Sequence, residues 1–229
     1  MTILVCDDDK EIVEAIEIYL MQEGYNVEKA YDGQEALKIV KDKKIDLMII
    51  DVMMPKLDGI RATLQIRKES KIPIIILSAK TEDADKILGL NIGADDYMTK
   101  PFNPLELVAR VKSQLRRYTQ LGSTSKEDSK YEFKTGGLVI RDDLKRVTVD
   151  GETVKLTPIE FEIFNLLFQN HGSMVSSAKL LKEIWGYGPD DDVETIRVHV
   201  RHLRSKIAKI SGDKKYIVTI YGGGYKLDI

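Results

Sequence analysis

Short apolar runs rich in β-branched residues alternate with longer amphipathic stretches in the first half of the chain. The runs occupy residues 3–6, 25–30, 45–50, 73–77 and 95–99. Residues 11–23, between the first two runs, carry apolar side chains at helical spacing. Near-continuous apolar runs suit strands that are buried on both faces. The pattern therefore predicts an α/β domain over residues 1–119 with a five-stranded, parallel, doubly wound sheet.

The pattern changes class after residue 119. Residues 120–131 are polar and small, and we expect them to form a flexible linker. Beyond them, strand candidates lie at residues 137–140, 146–150 and 152–156, followed by helical stretches at 157–170, 177–185 and 193–209 and a closing hairpin at 216–228. Asp150-Gly151 predicts one hairpin turn, and Gly222, Gly223 and Gly224 predict the closing one. Residues 132–229 are thus predicted to form an α+β domain.

Composition narrows the class of protein. The chain has 229 residues, of which 43% are hydrophobic and 31% charged, and its formal net charge is −2. Any nucleic-acid surface must therefore be a local patch. No apolar run approaches the roughly 20 residues of a membrane span, and acids from position 7 onward do not suit a secretory signal. Cys6 is the single cysteine, so we expect a cytoplasmic protein without disulfides or membrane spans.

Acidic residues follow two strands of the predicted sheet. Asp7, Asp8 and Asp9 end the first strand, and Asp51 ends the third. Because the carboxyl ends of parallel strands meet at one edge, these carboxylates can converge on a hard cation such as Mg²⁺. The alternative is that the three acids only cap the helix starting near Lys10, as we expect of Asp9. Repulsion between so many carboxylates without a cation favours the metal site.

Polar residues also follow the fourth and fifth strands. Ser78 ends the fourth strand, and Lys100 follows the fifth, before Pro101. A lysine before a proline is usually a solvated surface residue. Here, however, the first and third strands end in acids, the fourth ends in a hydroxyl and the fifth is followed by a lysine. A hydroxyl and an ammonium can both donate to phosphoryl oxygens. We therefore expect both residues at the acidic site, with a turn and a possible cis peptide at Pro101.

The segments ILVCDDD, DLMIIDVMMPKLDG, PIIILSA and GADDYMTKPF resemble the receiver domain of two-component response regulators over residues 1–119. The resemblance implies that Asp51 accepts a phosphoryl group from a partner sensor histidine kinase. It also implies that Asp8, Asp51 and the backbone carbonyl of Met53 hold Mg²⁺, with Asp7 bound through water. In such a site the carboxylate is a covalent nucleophile assisted by positioning and charge neutralisation.

The same resemblance implies a conformational switch. Lys100 would pair with the phosphoryl oxygens, Ser78 would move to hydrogen-bond them, and Tyr97 would swing inward behind it. Phosphorylation adds about −1.5 to −2 charge at neutral pH, so a local electrostatic change can bias a two-state surface on the last elements of the domain.

Charged residues recur at regular positions between residues 84 and 117: Lys86, Asp95, Asp96, Glu106, Arg110 and Arg117. A run of charges is usually a solvated face. The spacing nevertheless resembles the symmetric dimer interface of the OmpR/PhoB type of response regulator. That resemblance pairs Lys86 with Glu106, Asp96 with Arg110 and Asp95 with Arg117 across a twofold axis. Exposed pairs contribute about 0–1 kcal/mol each, so they would set orientation more than strength.

A basic helix is predicted near the end of the chain. Residues 193–215 contain seven Lys and Arg against two acids. Apolar residues form one stripe, at Val193, Ile196, Val200, Leu203 and Ile207, and the opposite face carries Arg197, Arg201, Arg204 and His202. Such a helix can enter the major groove of DNA, where arginines reach phosphates or guanine edges. The alternative is an ordinary soluble helix with surface cations.

The layout of residues 132–229 resembles the winged-helix DNA-binding domain of the OmpR/PhoB type. Residues 156–167 and 176–186 resemble its first two helices, residues 193–208 its recognition helix and residues 219–227 its wing. By position, the implied DNA contacts are Trp185, Thr195, Arg197, His199, Arg201, His202 and Arg204. His199 and His202 also allow a metal site, although histidines beside arginines more often bind DNA or pack.

Two features depart from that pattern. Tyr221 stands where the wing often carries an arginine, so we expect base stacking or a hydroxyl–phosphate contact there instead. The loop at residues 186–194 is strongly acidic and should repel DNA, and in this family it is a candidate contact for RNA polymerase.

The combined resemblance implies a response regulator that dimerises on phosphorylation and binds promoter DNA, at direct repeats or tandem half-sites, to control transcription. Phrases such as IGADDYMTKPFNPLELVARVKSQLRRY look closest to VanR-type regulators of glycopeptide (antibiotic) resistance. One rival is a Mg²⁺-dependent phosphohydrolase, which needs an acid two residues after the nucleophile, where this chain has Met53. We therefore expect the protein to have no enzymatic activity beyond slow self-dephosphorylation. A second rival is a regulator that works without phosphorylation.

Overall fold

The computed structural model describes residues 1–79, 92–120, 132–135, 137–141, 146–186, 193–212 and 215–228. The chain divides into two compact units, Met1–Tyr118 and Thr119–Ile229. Of the predicted linker, residues 121–131 fall outside these ranges, and residue 120 ends a helix. Among the helices that are described, none is long and apolar enough to cross a membrane.

The first unit is an α/β fold built on a parallel sheet. Its elements are β1 Thr2–Cys6, α1 Lys10–Gln22, β2 Asn26–Ala30, α2 Gly33–Asp42, β3 Leu47–Asp51, α3 Gly59–Glu69, β4 Ile74–Ser78, β5 Asp96–Thr99 and α4 Pro104–Gln120. The five strands are all parallel, in the order β2-β1-β3-β4-β5. The predicted doubly wound sheet is confirmed, and each strand agrees with its predicted run to within about two residues at either end.

Burial on both faces explains why these strands were visible in the sequence. Every residue of β3 and β4 is buried, and apolar stripes on α1 and α4 cover one side of the sheet. Three helices begin at an aspartate whose side chain accepts hydrogen bonds from the first turn: Asp9 for α1, Asp32 for α2 and Asp58 for α3. The sheet and the caps together hold the carboxyl ends of the strands at one edge.

The second unit combines two antiparallel sheets with helices. Its elements are β6 Glu132–Thr135, β7 Leu138–Arg141, β8 Arg146–Val149, β9 Glu152–Val154, α5 Pro158–Gln169, β10 Met174–Ser176, α6 Ser177–Leu180, a π-helical turn Leu181–Trp185, α7 Val193–Ser211, β11 Ile217–Ile220 and β12 Gly224–Leu227. The strand orders are β6-β7-β8-β9 and β10-β12-β11. The sequence analysis missed β6 and β10. β10 has only three residues, and its strand pairing is with the distant β12.

The helix predicted over residues 177–185 is present, but its second half is π-helical rather than α-helical. The α-helix ends at Leu180, and residues 181–185 form a wider turn. The amide of Gly186 donates to the carbonyls of Leu181 and Lys182, both at 3.1 Å, and Gly186 has a positive φ of 80°. A hydrogen bond to the fifth preceding residue defines the π-helical turn, and the left-handed glycine ends it.

Two turns differ in how well their residues predicted them. Asp150 and Gly151 both have positive φ, 49° and 87°, and join β8 to β9 as predicted. The closing hairpin turns at Tyr221, Gly222 and Gly223, one residue earlier than predicted. Gly224 instead begins β12, where its backbone packs against the backbone of β10 too closely for a side chain.

Candidate functional site

The edge formed by the carboxyl ends of β1 and β3 brings three carboxylates together. Asp7, Asp8 and Asp51 can each offer an oxygen within 4.8 Å of the others. Asp7 and Asp51 are buried, whereas Asp8 is exposed to solvent. Asp9 instead caps α1, accepting from the amide of Glu11 at 2.9 Å. The residues present fit a hard cation with oxygen ligands such as Mg²⁺, which the exposed side of the cluster can receive.

Lys100, which follows β5, reaches this cluster from two strands away and offsets part of its negative charge. Its Nζ lies 2.6 Å from Oδ2 of Asp7 and 2.6 Å from Oδ1 of Asp51, and its side chain is 17% exposed. Burial by itself lowers the pKa of Lys100, but hydrogen bonds to Asp51 and Asp7 outweigh it and leave that pKa raised. Burial also raises the pKa of Asp7, against the hydrogen bond from Lys100. Lys100 is therefore a charged member of the site, not a solvated surface lysine.

The two predicted switch residues occupy the adjacent strands. Ser78 is fully buried at the end of β4, next to Leu77, which is the strand partner of Asp51. Tyr97 is 4% exposed and so already lies inward on β5 in this state. The peptide bond between Lys100 and Pro101 is cis. The motions predicted for Ser78 and Tyr97 remain predictions.

The loop after Asp51 is held at both ends. The amide of Met53 donates to Oδ2 of Asp51 at 2.5 Å, and a side chain at Gly59 would collide with the carbonyl of Asp51. In the middle, Nζ of Lys56 lies 2.5 Å from the buried carboxylate of Asp32. The sequence analysis missed this pair. Asp32 before Gly33 was recognisable as a helix cap, but nothing in the sequence pointed to Lys56 as its partner.

The predicted dimer residues are largely engaged within the chain. Asp96 accepts from Nη1 of Arg110 at 2.8 Å, and Nη2 of the same arginine lies 2.6 Å from Glu106. Asp95 is 1% exposed and lies 2.6 Å from Nη2 of Arg67. Within one chain, arginines of α3 and α4 therefore pair with Asp95 and Asp96. The predicted pairing of Asp96 with Arg110 across a twofold axis stays a prediction.

Two members of the dimer prediction fall outside what the structure describes. Lys86 lies within residues 80–91, which are not among the described ranges. Arg117 belongs to α4, but its side chain is not described. The pairs Lys86–Glu106 and Asp95–Arg117 stay predictions.

Several predicted DNA contacts are buried in the second unit. Thr195 and His199 on α7 are each 2% exposed, as is Trp185 before it. The rings of Trp185 and His199 have centroids 5.7 Å apart. The physical reason is the width of the buried face, which extends one position beyond the stripe of Ile196 and Val200. In this structure the three residues belong to the core, and their predicted DNA contacts stay predictions.

The outer face of α7 keeps a smaller basic set. Arg197 and Arg201 are exposed, and His202 is half-buried, so that burial lowers the pKa of its imidazole. Val193, predicted to be buried, is 36% exposed at the start of the helix. No carboxylate–histidine cluster suited to a metal occurs on the described part of α7. A metal site at His199 and His202 is also disfavoured because His199 packs against Trp185.

Arg204 points at the wing rather than outward. Its Nε donates to the carbonyl of Ile217 at 2.9 Å, and its Nη2 donates to Oγ1 of Thr219 at 2.8 Å. Tyr221 stands at the tip of the wing and is fully exposed. Of the acidic loop at residues 186–194, residues 187–192 are not among those described, so its predicted role is untested.

Comparisons with known proteins agree on both units. A family model described as the response regulator receiver domain matches residues 3–112, and one described as the C-terminal transcriptional regulatory domain matches residues 151–227. The chain is 44% identical to the regulatory protein VanR of Enterococcus faecium over 228 residues, covering 99% of this chain and 98% of that protein. It is 42% identical to VanRc of Enterococcus gallinarum over 226 residues, with the same coverage.

Solved structures give the same picture. A RitR mutant superposes with a TM-score of 0.74 at 25% identity, covering 99% of this chain and 98% of that one. The response regulator DrrB of Thermotoga maritima, an OmpR/PhoB homolog, superposes with a TM-score of 0.51 at 29% identity, covering 100% and 99% of the two chains.

Proposed function

This chain belongs to the two-component response regulators that join a receiver domain to an OmpR/PhoB-type transcriptional regulatory domain, and we propose that phosphorylation of Asp51 controls its binding to promoter DNA. The observation that carries the proposal is the grouping of Asp51 with Asp7, Asp8 and Lys100 at one sheet edge. The phosphoryl donor would be a sensor histidine kinase, as in the family.

The geometry supports a simple transfer. A carboxylate oxygen of Asp51 attacks the phosphorus of a phosphohistidine, the new O–P bond forms as the P–N bond breaks, and the imidazole of the kinase leaves. Lys100 pairs with Asp51 in this structure, and after transfer it can pair with the negatively charged phosphoryl oxygens instead. Asp8, Asp51 and the carbonyl of Met53 would hold Mg²⁺, with Asp7 bound through water. The ion would neutralise charge on the phosphoryl group.

The product should persist, because the position two residues after Asp51 carries no base to activate water. Met53, two residues after the nucleophile, has a thioether side chain that is 61% exposed. A phosphohydrolase would need a carboxylate or another base at such a position. The chain is accordingly a phosphoacceptor with at most slow self-dephosphorylation, not a phosphatase.

The output is proposed to be transcriptional control. Arg197, Arg201, His202 and Tyr221 remain outward-facing candidates for DNA contact at direct repeats or tandem half-sites. Phosphorylated chains would dimerise through the face that contains Glu106 and Arg110, and the acidic loop would contact RNA polymerase. By its family, the protein would act in the cytoplasm. The similarity to VanR suggests a role in glycopeptide resistance.

The testing experiment is intact-mass measurement after incubation with Mg²⁺ and acetyl phosphate. We expect one added phosphoryl group on the wild-type chain and none on Asp51→Asn. Asp58→Asn is the matched control, because this partly exposed carboxylate caps α3 and asparagine caps equally well. Uptake that persists in a folded Asp51→Asn variant would place the acceptor elsewhere.

A further inference from the structure

The side chain of Arg204 joins the recognition helix α7 to both strands of the wing. It donates to the Ile217 carbonyl and to the Thr219 hydroxyl of β11, at 2.9 Å and 2.8 Å. Its guanidinium also lies over the ring of Tyr225 on β12, with 5.7 Å to the ring centroid. Thr219 and Tyr225 are direct partners across the hairpin. One side chain therefore engages a cross-strand pair and the backbone beside it.

This bridge lines a groove between the recognition helix and β11. The groove, of about 660 Å³, opens between the C-terminal half of α7 and β11, lined by Ile207 and Ala208 on one side and Val218 on the other. β11 is an edge strand of its three-stranded sheet. Leu203 and Ile207 share a hydrophobic core with Ile217 and Tyr225, and the hydrogen bonds from Arg204 add a directional link beside that packing.

The surroundings of Arg204 differ from those of its basic neighbours. Burial lowers the pKa of its guanidinium, and among the described residues no carboxylate lies within ion-pair distance of it. Arg197 is by contrast well exposed and pairs with Glu194 at 2.9 Å, and Arg201 is exposed. The guanidinium of Arg204 is therefore partly desolvated against the wing, and it is part of the folded structure rather than a free surface group.

We propose that Arg204 is a positioning residue that holds the wing in fixed register with the recognition helix, so that Arg201 and Tyr221 meet DNA as one pre-formed surface. This inference rests on the proposed DNA-binding function. If the wing is already ordered in the free protein, no conformational entropy is lost in ordering it on DNA, and the affinity is higher for that reason. The competing role is a direct contact, in which the guanidinium leaves the hairpin and pairs with a DNA phosphate.

Salt dependence separates the two roles. The full-length chain is titrated with a duplex that the wild-type protein selects from a random-sequence pool, over a range of salt concentrations. Arg201→Met, as the matched control, should lower the slope of log affinity against log salt by about 0.9, as expected for one lost phosphate contact. Arg204→Met should weaken binding about tenfold, the loss expected when the wing must be ordered on binding, and leave the slope unchanged.

A second variant tests the bridge from its other end. Thr219→Val removes the accepting hydroxyl without changing any charge, and should weaken binding by several-fold. The double variant should then bind about as tightly as Arg204→Met alone, because both changes break one link. A reduced slope in Arg204→Met together with additive effects would establish the direct phosphate contact and overturn the proposal.

The free protein gives a readout that does not depend on DNA. Amide hydrogen exchange in β11 and β12 should become about tenfold faster in Arg204→Met and in Thr219→Val, and stay unchanged in Arg201→Met. Unchanged exchange in α5 would show that the fold is retained. If the wing exchanges as in the wild type, the inference fails. If the wing loosens but the wild type selects no duplex, the proposed function fails instead.

Discussion

Nζ of Lys100 lies 2.6 Å from Oδ1 of Asp51, so the ammonium that follows β5 is paired with the carboxylate that ends β3. The same ammonium is 2.6 Å from Asp7. One cation thus separates two buried acids that would otherwise repel each other. In this state the proposed phosphoacceptor is already held by the group that would receive its phosphoryl oxygens.

Replacing that cation should therefore destabilise the receiver domain. Lys100→Met leaves Asp7 and Asp51 facing each other, and we expect a loss of about 2 kcal/mol in the free energy of unfolding. Added Mg²⁺ should recover part of it by supplying a replacement charge. Urea unfolding with and without Mg²⁺ measures both effects. Lys112→Met, which breaks an exposed pair with Glu23, should change little. Equal losses in the two variants would refute the prediction.

The pair between Lys56 and Asp32 predicts a pH dependence of stability. The hydrogen bond from Lys56 holds the pKa of Asp32 below its ordinary value. A carboxyl group with a lowered folded-state pKa stabilises the protein above its unfolded pKa of about 3.9, and that contribution is lost as the pH falls through the folded value.

We therefore expect Asp32→Asn to be less stable than the wild type at pH 7 and to converge with it as the pH falls below about 4. Asparagine keeps the helix cap, so the comparison isolates the charge. Thermal unfolding of both proteins across this pH range provides the measurement. A difference that stays constant with pH would show that the ion pair is not its source.

Arg110 is expected to contribute both to the stability of the chain and to the proposed dimer. It pairs with the buried Asp96 and with Glu106, so Arg110→Met should lower the free energy of unfolding by about 1–3 kcal/mol. It should also weaken the proposed dimer of the phosphorylated protein. Sedimentation with acetyl phosphate and Mg²⁺ measures the dimer. The exposed Arg61→Met is the control, and a dimer of wild-type strength in Arg110→Met would exclude this face.

The wing tip allows two kinds of DNA contact to be told apart. Tyr221 is fully exposed, so truncation to alanine should not disturb the fold. If its ring stacks on bases or sugars, Tyr221→Phe should bind DNA like the wild type and Tyr221→Ala about tenfold more weakly. If its hydroxyl contacts a phosphate, both variants should lose affinity equally. Tyr19→Ala, a half-exposed tyrosine of the receiver domain, should have no effect.

Hydrophobic patterning determined the architecture of this protein and the edge of the sheet that carries its chemistry. Strands such as β3 and β4 are apolar on both faces because helices cover both. Consecutive residues must therefore be apolar, and such a run is visible in the local sequence. Once parallel strands are established, Asp7, Asp51 and Ser78 must emerge together. The candidate phosphorylation site could therefore be predicted before any coordinates.

Tertiary structure alone decided which polar side chains are still available at the surface. Asp95 and Arg204 have the charges expected of interface residues. In the structure, however, Asp95 pairs with Arg67, and Arg204 hydrogen-bonds to the wing. Likewise, His199 lies at the border of the buried stripe and is covered by Trp185. Helical period tells which face is buried on average. It does not tell which charged group at the border meets a partner from a distant element, because that depends on side-chain reach and on the packing of segments far apart in the chain.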